Sequence, residues 1–233
     1  MRPSGCVWAS GGRATGPFGM LILGLVGSPG GGKSTVAATL EGIGATWIDA
    51  DRIARDVLRQ PSVRDALADR FGPEILADDG SIDRPRLGRV VFGADHFRRA
   101  SLDYLESLVH PPTRREITVR LRQAASDGRA VAVLDVPLLF ESRWDFACDQ
   151  VWCVDAPRGL RISRVASRGW DESELRRRER HQLTIDEKRR RSNRRIHNVG
   201  TFEQLTEQVS KLYRELTDRC SLVAPDPGHC LSD

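Results

Sequence analysis

The chain has 233 residues, of which 39% are hydrophobic and 29% charged; this suits one α/β domain with insertions and argues against global disorder. No run approaches the roughly 18 apolar residues of a membrane helix, so no membrane partner is expected. The formal net charge of +4 is unevenly placed: residues 155–195 carry 14 Lys and Arg against 7 Asp and Glu, a local +7, which leaves 4 − 7 = −3 elsewhere. A basic segment on a mildly acidic chain points to an anionic partner, polyphosphate or nucleic acid.

Residues 1–19 are rich in Gly and lack an apolar core of signal-peptide length, which predicts a disordered leader or a start-site artefact ahead of Met20. Leu21–Val26 is a short apolar run that ends in a glycine-rich turn, and a helical stretch follows over Lys33–Glu41. Further short strands are predicted at Ala45–Ile48, Ala130–Val136, Gln150–Val154 and Arg195–His197. Residues 52–128 read as mostly helical, over Val63–Phe71, Arg84–Val91 and Asp95–Ala125, and are too long for a plain crossover. In Thr201–Arg219, Phe202, Leu205, Val209, Leu212 and Leu216 recur every three or four residues, an amphipathic helix. Residues 220–233, with Pro225, Pro227 and Gly228, read as an irregular tail. Apolar strands separated by helices predict a parallel sheet covered on both faces.

The strongest motif is Gly27-Ser28-Pro29-Gly30-Gly31-Gly32-Lys33-Ser34, followed by Thr35. It matches G-x-x-x-x-G-K-[ST], with an apolar strand leading in and a helix leading out. Glycines let the backbone curl so that successive N–H groups form an anion nest, and the helix start adds its positive dipole end. Lys33 is then placed to reach the β- and γ-phosphates, and the Ser34 hydroxyl to ligate Mg²⁺, the one cofactor expected beside ATP. Pro29 has no N–H and removes one donor from such a nest.

Strand two ends in Asp49-Ala50-Asp51, at the sheet edge that faces the ligand crevice in open α/β folds. Either carboxylate could take a proton from an acceptor hydroxyl or help hold hydrated Mg²⁺; either could equally cap the helix that begins near Arg52. Asp135 closes an apolar strand, as a magnesium-holding aspartate would, or as a polar strand end. His110 precedes Pro111, which favours an extended backbone there. Arg161, Arg164 and Arg168 share one face if helical, and a closing arginine there would stabilise charge on a transferring phosphoryl group. The clusters 176–180 and 188–195 read as a solvated helical face balanced by Glu172, Glu174, Glu179 and Glu187. A nucleic-acid surface is the sharper alternative, but only Trp170 could provide stacking, so no nucleic-acid partner is expected. Cys6, Cys148, Cys153, Cys220 and Cys230 are odd in number and form no CxxC pair, which argues against a disulfide framework and a zinc site and fits reduced thiols in the cytoplasm.

Several ordered motifs across Leu21–Arg219 resemble the dephospho-coenzyme A kinases. After the phosphate loop come Leu40–Val57 (LEGIGATWIDADRIARDV), Phe71-Gly72, Asp79–Leu87 (DGSIDRPRL) with Val91-Phe92, Leu105–Pro111 (LESLVHP), Val136–Glu141 (VPLLFE), and Ile196–Gly200 (IHNVG). Arg164, Arg168 and Gln182 fall at the family's lid positions. Ser192-Asn193, Gly169 and the Ser-Pro-Gly-Gly-Gly of the loop depart from the family's usual residues. The resemblance implies a P-loop kinase: a core at 20–51 and 129–219 built on a five-stranded parallel sheet, a helical substrate-binding insertion at 52–128, and a short helical lid at about 158–192. It implies ATP-dependent phosphorylation of the ribose 3′-hydroxyl of dephospho-coenzyme A; separately, a monomer is expected. By the same resemblance Asp51 is the general base, and Lys33 and Arg168 act in catalysis. The residues of Gly27–Thr35 with Arg164, Arg168 and Asn198 bind ATP. Arg55, Arg84, His110, Pro137, Leu138 and Glu141 join Asp51 at the acceptor. The rival readings are a kinase for a nucleoside or nucleoside monophosphate, and a nucleotide-gated RNA-binding protein.

Overall fold

The computed structural model describes residues 18–92 and 96–221; nearly all of the expected leader and of the expected tail lies outside them. Strand β1 (Leu21–Gly27) is buried along its whole length and leads through the glycine-rich turn into helix α1 (Lys33–Gly42) and then β2 (Thr46–Asp49). After a helical stretch come β3 (Val131–Asp135) and β4 (Gln150–Asp155). Three short helices follow, α6 (Arg158–Ala166), α7 (Glu172–Arg180) and α8 (Ile185–Arg191), then β5 (Arg194–His197) and α9 (Phe202–Ser221).

The five strands form one parallel sheet in the order β2-β3-β1-β4-β5. β1 lies at its centre, with Leu21↔Val131 and Leu25↔Asp135 in register on one side and Gly27↔Val154 on the other. β4 and β5 pair from Trp152↔Arg194 to Asp155↔His197. Because neighbouring strands run the same way, the ends of β1, β3, β4 and β5 and the turns that follow them share one edge. Near-continuous burial of β1, β3 and β4 is what a sheet covered on both faces requires. Leu23, Leu25, Val36, Leu40, Val133, Trp152, Val154, Ile196 and Val209 belong to one core cluster. Asn193 starts β5 by a side-chain route: its Oδ1 accepts from Val151 N at 2.8 Å, and its own N–H donates to Val151 O at 2.8 Å.

The chain divides into two compact units, residues 49–122 and the remainder. The smaller is helical: α2 (Ala50–Leu58), α3 (Pro61–Phe71), a 3₁₀ turn at Pro73–Ile75, α4 (Arg84–Val91), and most of α5 (His96–Ser126). Its bounds differ from 52–128 because α2 starts directly after β2 and α5 runs on into the sheet-bearing unit. Buried Ile53, Val57, Val63, Leu67, Ile75, Leu87, Val91, Val109, Ile117 and Leu121 supply its apolar interior. The DGSIDRPRL segment has a local structural account. Asp79 Oδ1 accepts from Ser81 N at 2.9 Å, Leu76 bridges Ile82, and Asp83 Oδ1 caps α4 through Arg86 N at 2.9 Å. His110 is helical, not extended, and α5 continues through Pro111 and Pro112. The preference of a residue before proline is overridden because helical residues on both sides, Val109 and Ile117 among them, bury their side chains.

The caps give a direct test. Asp83→Ala removes the N-cap acceptor of α4 and is expected to lower stability by about 1 kcal/mol, read from the midpoint of urea unfolding.

Candidate active site

The segment after β1 is a tight turn closed by Gly31 N–H donating to Ser28 O at 2.9 Å. Pro29 and Gly30 (φ 76°) occupy its two central positions. Proline there presets φ and glycine accepts the positive φ that follows, the composition of a type II turn. Pro29 thus shapes the loop. Gly27 and Gly32 are demanded by close approach. A Cβ on Gly27 would lie 2.4 Å from Val154 O, and one on Gly32 (φ 97°) would lie 2.0 Å from Asn198 Nδ2. Helix α1 starts without a side-chain cap and without an acidic residue in its first turn, so the amides of Lys33, Ser34 and Thr35 keep their donor capacity and the positive helix end. Thr35 O accepts from Thr39 Oγ1 at 3.0 Å, and the Ser34 hydroxyl is exposed with no hydrogen bond among the described residues.

Lys33 Nζ forms an ion pair with Asp135, whose carboxylate is buried at the end of β3. Lys33 and Asp135 therefore meet at the edge where β1 and β3 end, with Ser34 next to Lys33 in the chain. No cluster of three or more His, Cys, Asp or Glu side chains able to hold a metal occurs among the described residues. Mg²⁺ that arrives with polyphosphate keeps waters and phosphate oxygens and needs only one or two protein oxygens, for which Ser34 and Asp135 are chemically suited.

Beyond β5, Asn198 is 6% exposed. Its Nδ2 donates to Gly31 O at 2.9 Å, and its Oδ1 and O accept from Arg164 Nη2 at 3.3 and 3.1 Å. Both functions of the amide are engaged by the protein, and a line of contacts runs from Arg164 through Asn198 to the loop backbone. The three arginines of the basic segment do not share one face. Arg161 is buried, donates to Ala156 O at 3.1 Å and is paired with Glu179. Arg168 lies past the end of α6, in a turn closed at Gly169 (φ 74°); its guanidinium is exposed and makes no hydrogen bond or ion pair among the described residues. Burial pushes the Glu179 carboxyl up, but hydrogen bonds from Arg161 and Arg158 outweigh it and hold the group below the usual carboxylate range. The remaining charges largely neutralise one another: Arg176 pairs with Glu172, Arg177 and Arg178 with Glu174, and Arg190 with Glu187.

After β3, Pro137 is half-buried while Leu138 and Glu141 are exposed; Glu141 Oε1 accepts from Leu183 N at 2.6 Å. In the helical unit Asp49 caps α2, accepting from Arg52 N at 3.0 Å. Asp51 stands in the first turn of α2, exposed and without a partner among the described residues, with Arg55 one turn further on. The alternatives left open by the sequence are thereby divided: capping belongs to Asp49 and leaves the Asp51 carboxylate available. Arg84, in the first turn of α4, and His110 are also exposed.

Sequence reasoning missed Lys188, which is 1% exposed although it sits in a run of basic residues. Its Nζ donates to Gly27 O at 3.1 Å and to Gln182 Oε1 at 2.6 Å. A signal existed: Lys188 falls three residues after Ile185, the one apolar residue of α8. It also missed the pairing of Arg189 with buried Asp155.

A parallel sheet whose central strand passes through a glycine-rich turn into an uncapped helix beginning Lys-Ser defines a P-loop nucleotide-binding protein of the kinase type. The family model described as dephospho-CoA kinase matches residues 21–204. Among curated relatives, the dephospho-CoA kinase of Rhodopirellula baltica is 41% identical over 188 residues, which is 81% of this chain and 87% of the relative. That of Symbiobacterium thermophilum is 42% identical over 197 residues, 84% of this chain and 81% of the relative. A crystal structure of a Thermus thermophilus protein superposes with a TM-score of 0.72 at 33% identity, covering 85% of this chain and 98% of its own. The chain belongs to the dephospho-CoA kinase family. No helix among the described residues is long and apolar enough to cross a membrane.

Two tests follow from the site. Gly32→Ala must displace Asn198 and strain a left-handed φ, so nucleotide affinity is expected to fall by about tenfold or more, measured by titration calorimetry with ADP. Burial, reinforced by neighbouring aspartates, pushes the thiols of Cys148 and Cys153 up to about 12 and about 11. Both should therefore resist iodoacetamide at pH 8 in the folded protein and react on unfolding, as read by peptide mass mapping.

Proposed function

We propose that the chain transfers the γ-phosphoryl group of ATP to the ribose 3′-hydroxyl of dephospho-coenzyme A, giving coenzyme A and ADP, with Asp51 as base and Lys33 as the principal charge-stabilising side chain. The observation that carries this reading is the phosphate loop itself: a glycine turn on the central strand, opening an uncapped helix at Lys33, in a chain of this family. Phosphoryl transfer asks little covalent chemistry of a protein and depends on positioning and charge stabilisation. The loop amides and the start of α1 take up the β- and γ-phosphates. Lys33, which pairs with Asp135, also reaches the phosphate oxygens when ATP fills the loop.

Ser34 and Asp135 would hold the magnesium that accompanies ATP, which would supply charge neutralisation at the phosphate oxygens. Asp51 orients the 3′-hydroxyl and accepts its proton as the oxygen attacks, a task for which an uncapped, unpaired carboxylate is suited. Arg168, exposed and unengaged among the described residues, moves onto the phosphoryl group as the lid helices close, and closure limits hydrolysis by water. Arg164 acts through Asn198 on the loop backbone. Arg55, Arg84, His110, Pro137 and Leu138 contribute to acceptor binding. The reaction runs in the cytoplasm.

The direct test is ADP release with MgATP, with and without dephospho-coenzyme A, together with the mass of the product. Acceptor-dependent release and the mass of coenzyme A are expected; ATP binding with no stimulation by this acceptor would overturn the substrate assignment. Lys33→Ala is expected to lower kcat by about 10²–10³-fold through lost transition-state stabilisation. Asp51→Asn should leave ATP affinity within about twofold of wild type while transfer drops by about 10²–10⁴-fold. A collapse of ATP affinity in that variant would instead make Asp51 a nucleotide-site residue. EDTA should stop turnover, and added Mg²⁺ should restore it.

A further inference from the structure

Lys188 is a charged side chain in a place where charge is expensive. Its residue is 1% exposed, in a helix whose neighbouring basic residues are partly or fully exposed. A buried ammonium is retained only with acceptors, and Lys188 has two from distant parts of the chain. One is Gly27 O, the carbonyl of the last residue of β1, where the phosphate loop begins, at 3.1 Å. The other is Gln182 Oε1, in the turn joining α7 to α8, at 2.6 Å. The next residue, Leu183, gives its N–H to Glu141 Oε1 at 2.6 Å, in the turn after β3. One ammonium and one carboxylate thus connect the base of the phosphate loop, the turn of the lid helices and the turn after β3. Burial lowers the pKa of Lys188, while Glu141 and Cys153 act in the opposite direction.

We infer that Lys188 is a positioning residue for the phosphate loop, holding Gly27 O from behind and coupling the loop to the α7–α8 turn through Gln182. The geometry argues for position and against direct contact with nucleotide. The peptide bonds of the described residues contain no cis form, so a carbonyl and the N–H of the same peptide unit point to opposite sides. Held at Gly27 O, the peptide that opens the loop cannot rotate without breaking a charge-assisted hydrogen bond in a dry environment. Asn198 does the same at Gly31 O, near the loop's other end. With both ends held, the amides between them keep their orientation before nucleotide arrives, and less ordering is required on binding. The contact to Gln182 adds a second consequence: movement of the α7–α8 turn changes the restraint on the loop.

The inference rests on the ATP-dependent transfer proposed above, and its test separates the two. Wild type, Lys188→Met, Gln182→Leu and the double variant are compared in initial-rate kinetics, in calorimetric binding of ADP without acceptor, and in thermal unfolding. Met preserves the length of the apolar stem and removes the ammonium. We expect Lys188→Met to lower kcat/KM for ATP and the affinity for ADP by about tenfold or more, with KM for dephospho-coenzyme A within about twofold of wild type. Gln182→Leu should lower the same two quantities by about threefold or more at a Tm close to wild type, and the double variant should be no worse than Lys188→Met, because one connection is being cut twice. If both single variants keep ATP and ADP parameters within about twofold of wild type, or if their losses multiply in the double variant, the inference is wrong. If Lys188→Met does not fold, Gln182→Leu decides alone: unchanged nucleotide parameters overturn the coupling. Absence of acceptor-dependent turnover in wild type overturns the proposed reaction, while the ADP affinities still judge the role of Lys188.

Discussion

The close approach of the Gly27–Gly32 segment to neighbouring backbone and amide groups is the constraint on which the rest of the site depends. Val154 O and Asn198 Nδ2 occupy the space that side chains at Gly27 and Gly32 would need. The loop is therefore packed against β4 and the residue after β5 on one side, which leaves its amides and the start of α1 to serve as an anion cradle on the other. That packing exists because β1 is the central strand of a parallel sheet, with Gly27 in register with Val154. The sheet order is thus a precondition of the chemistry.

Charge in this molecule is arranged mostly to be cancelled. The basic segment that looks on paper like a surface for polyanions is laced with ion pairs along α7 and α8. Exposed pairs of this kind contribute little stability each, but they lower the free positive charge available for a nucleic-acid surface. Buried charges are handled differently. Arg161 meets Glu179, Asp155 meets Arg189, and Lys188 meets a carbonyl and an amide oxygen. Each of these ties one of the helices α6 to α8 to its surroundings, since an unpaired partner would be left desolvated. Helices α6 to α8 are thus fastened at several points, while the Arg168 side chain, beyond the end of α6, makes no hydrogen bond or ion pair among the described residues.

The two aspartates at the end of β2 show how far a motif can be read and where it stops. Asp49-Ala50-Asp51 announces two carboxylates at the crevice edge, and pattern alone cannot assign capping to either, since both precede helical sequence. The backbone decides: Asp49 takes an extended conformation with its side chain on Arg52 N, whereas Asp51 is already inside the helix. The same holds for DGSIDRPRL, whose residue types are those of a turn, a bridge and a helix cap.

The sequence by itself determined what depends on near neighbours: the strand, turn and helix that make the phosphate loop, the Lys33 and Ser34 spacing, the apolar strands of the sheet and the amphipathic α9. These rest on glycine φ freedom, hydrophobic periodicity and helix starts, all expressed within a few residues. Only the tertiary structure decided that Lys188 is buried against Gly27, 161 residues away, and that the Asn198 amide is engaged with Gly31, 167 residues away. It also decided that Arg161 is buried while Arg168 is exposed. A charged residue has no intrinsic preference that reveals its partner; whether it faces water, a carboxylate or a carbonyl depends on which distant strand end the folded sheet brings beside it.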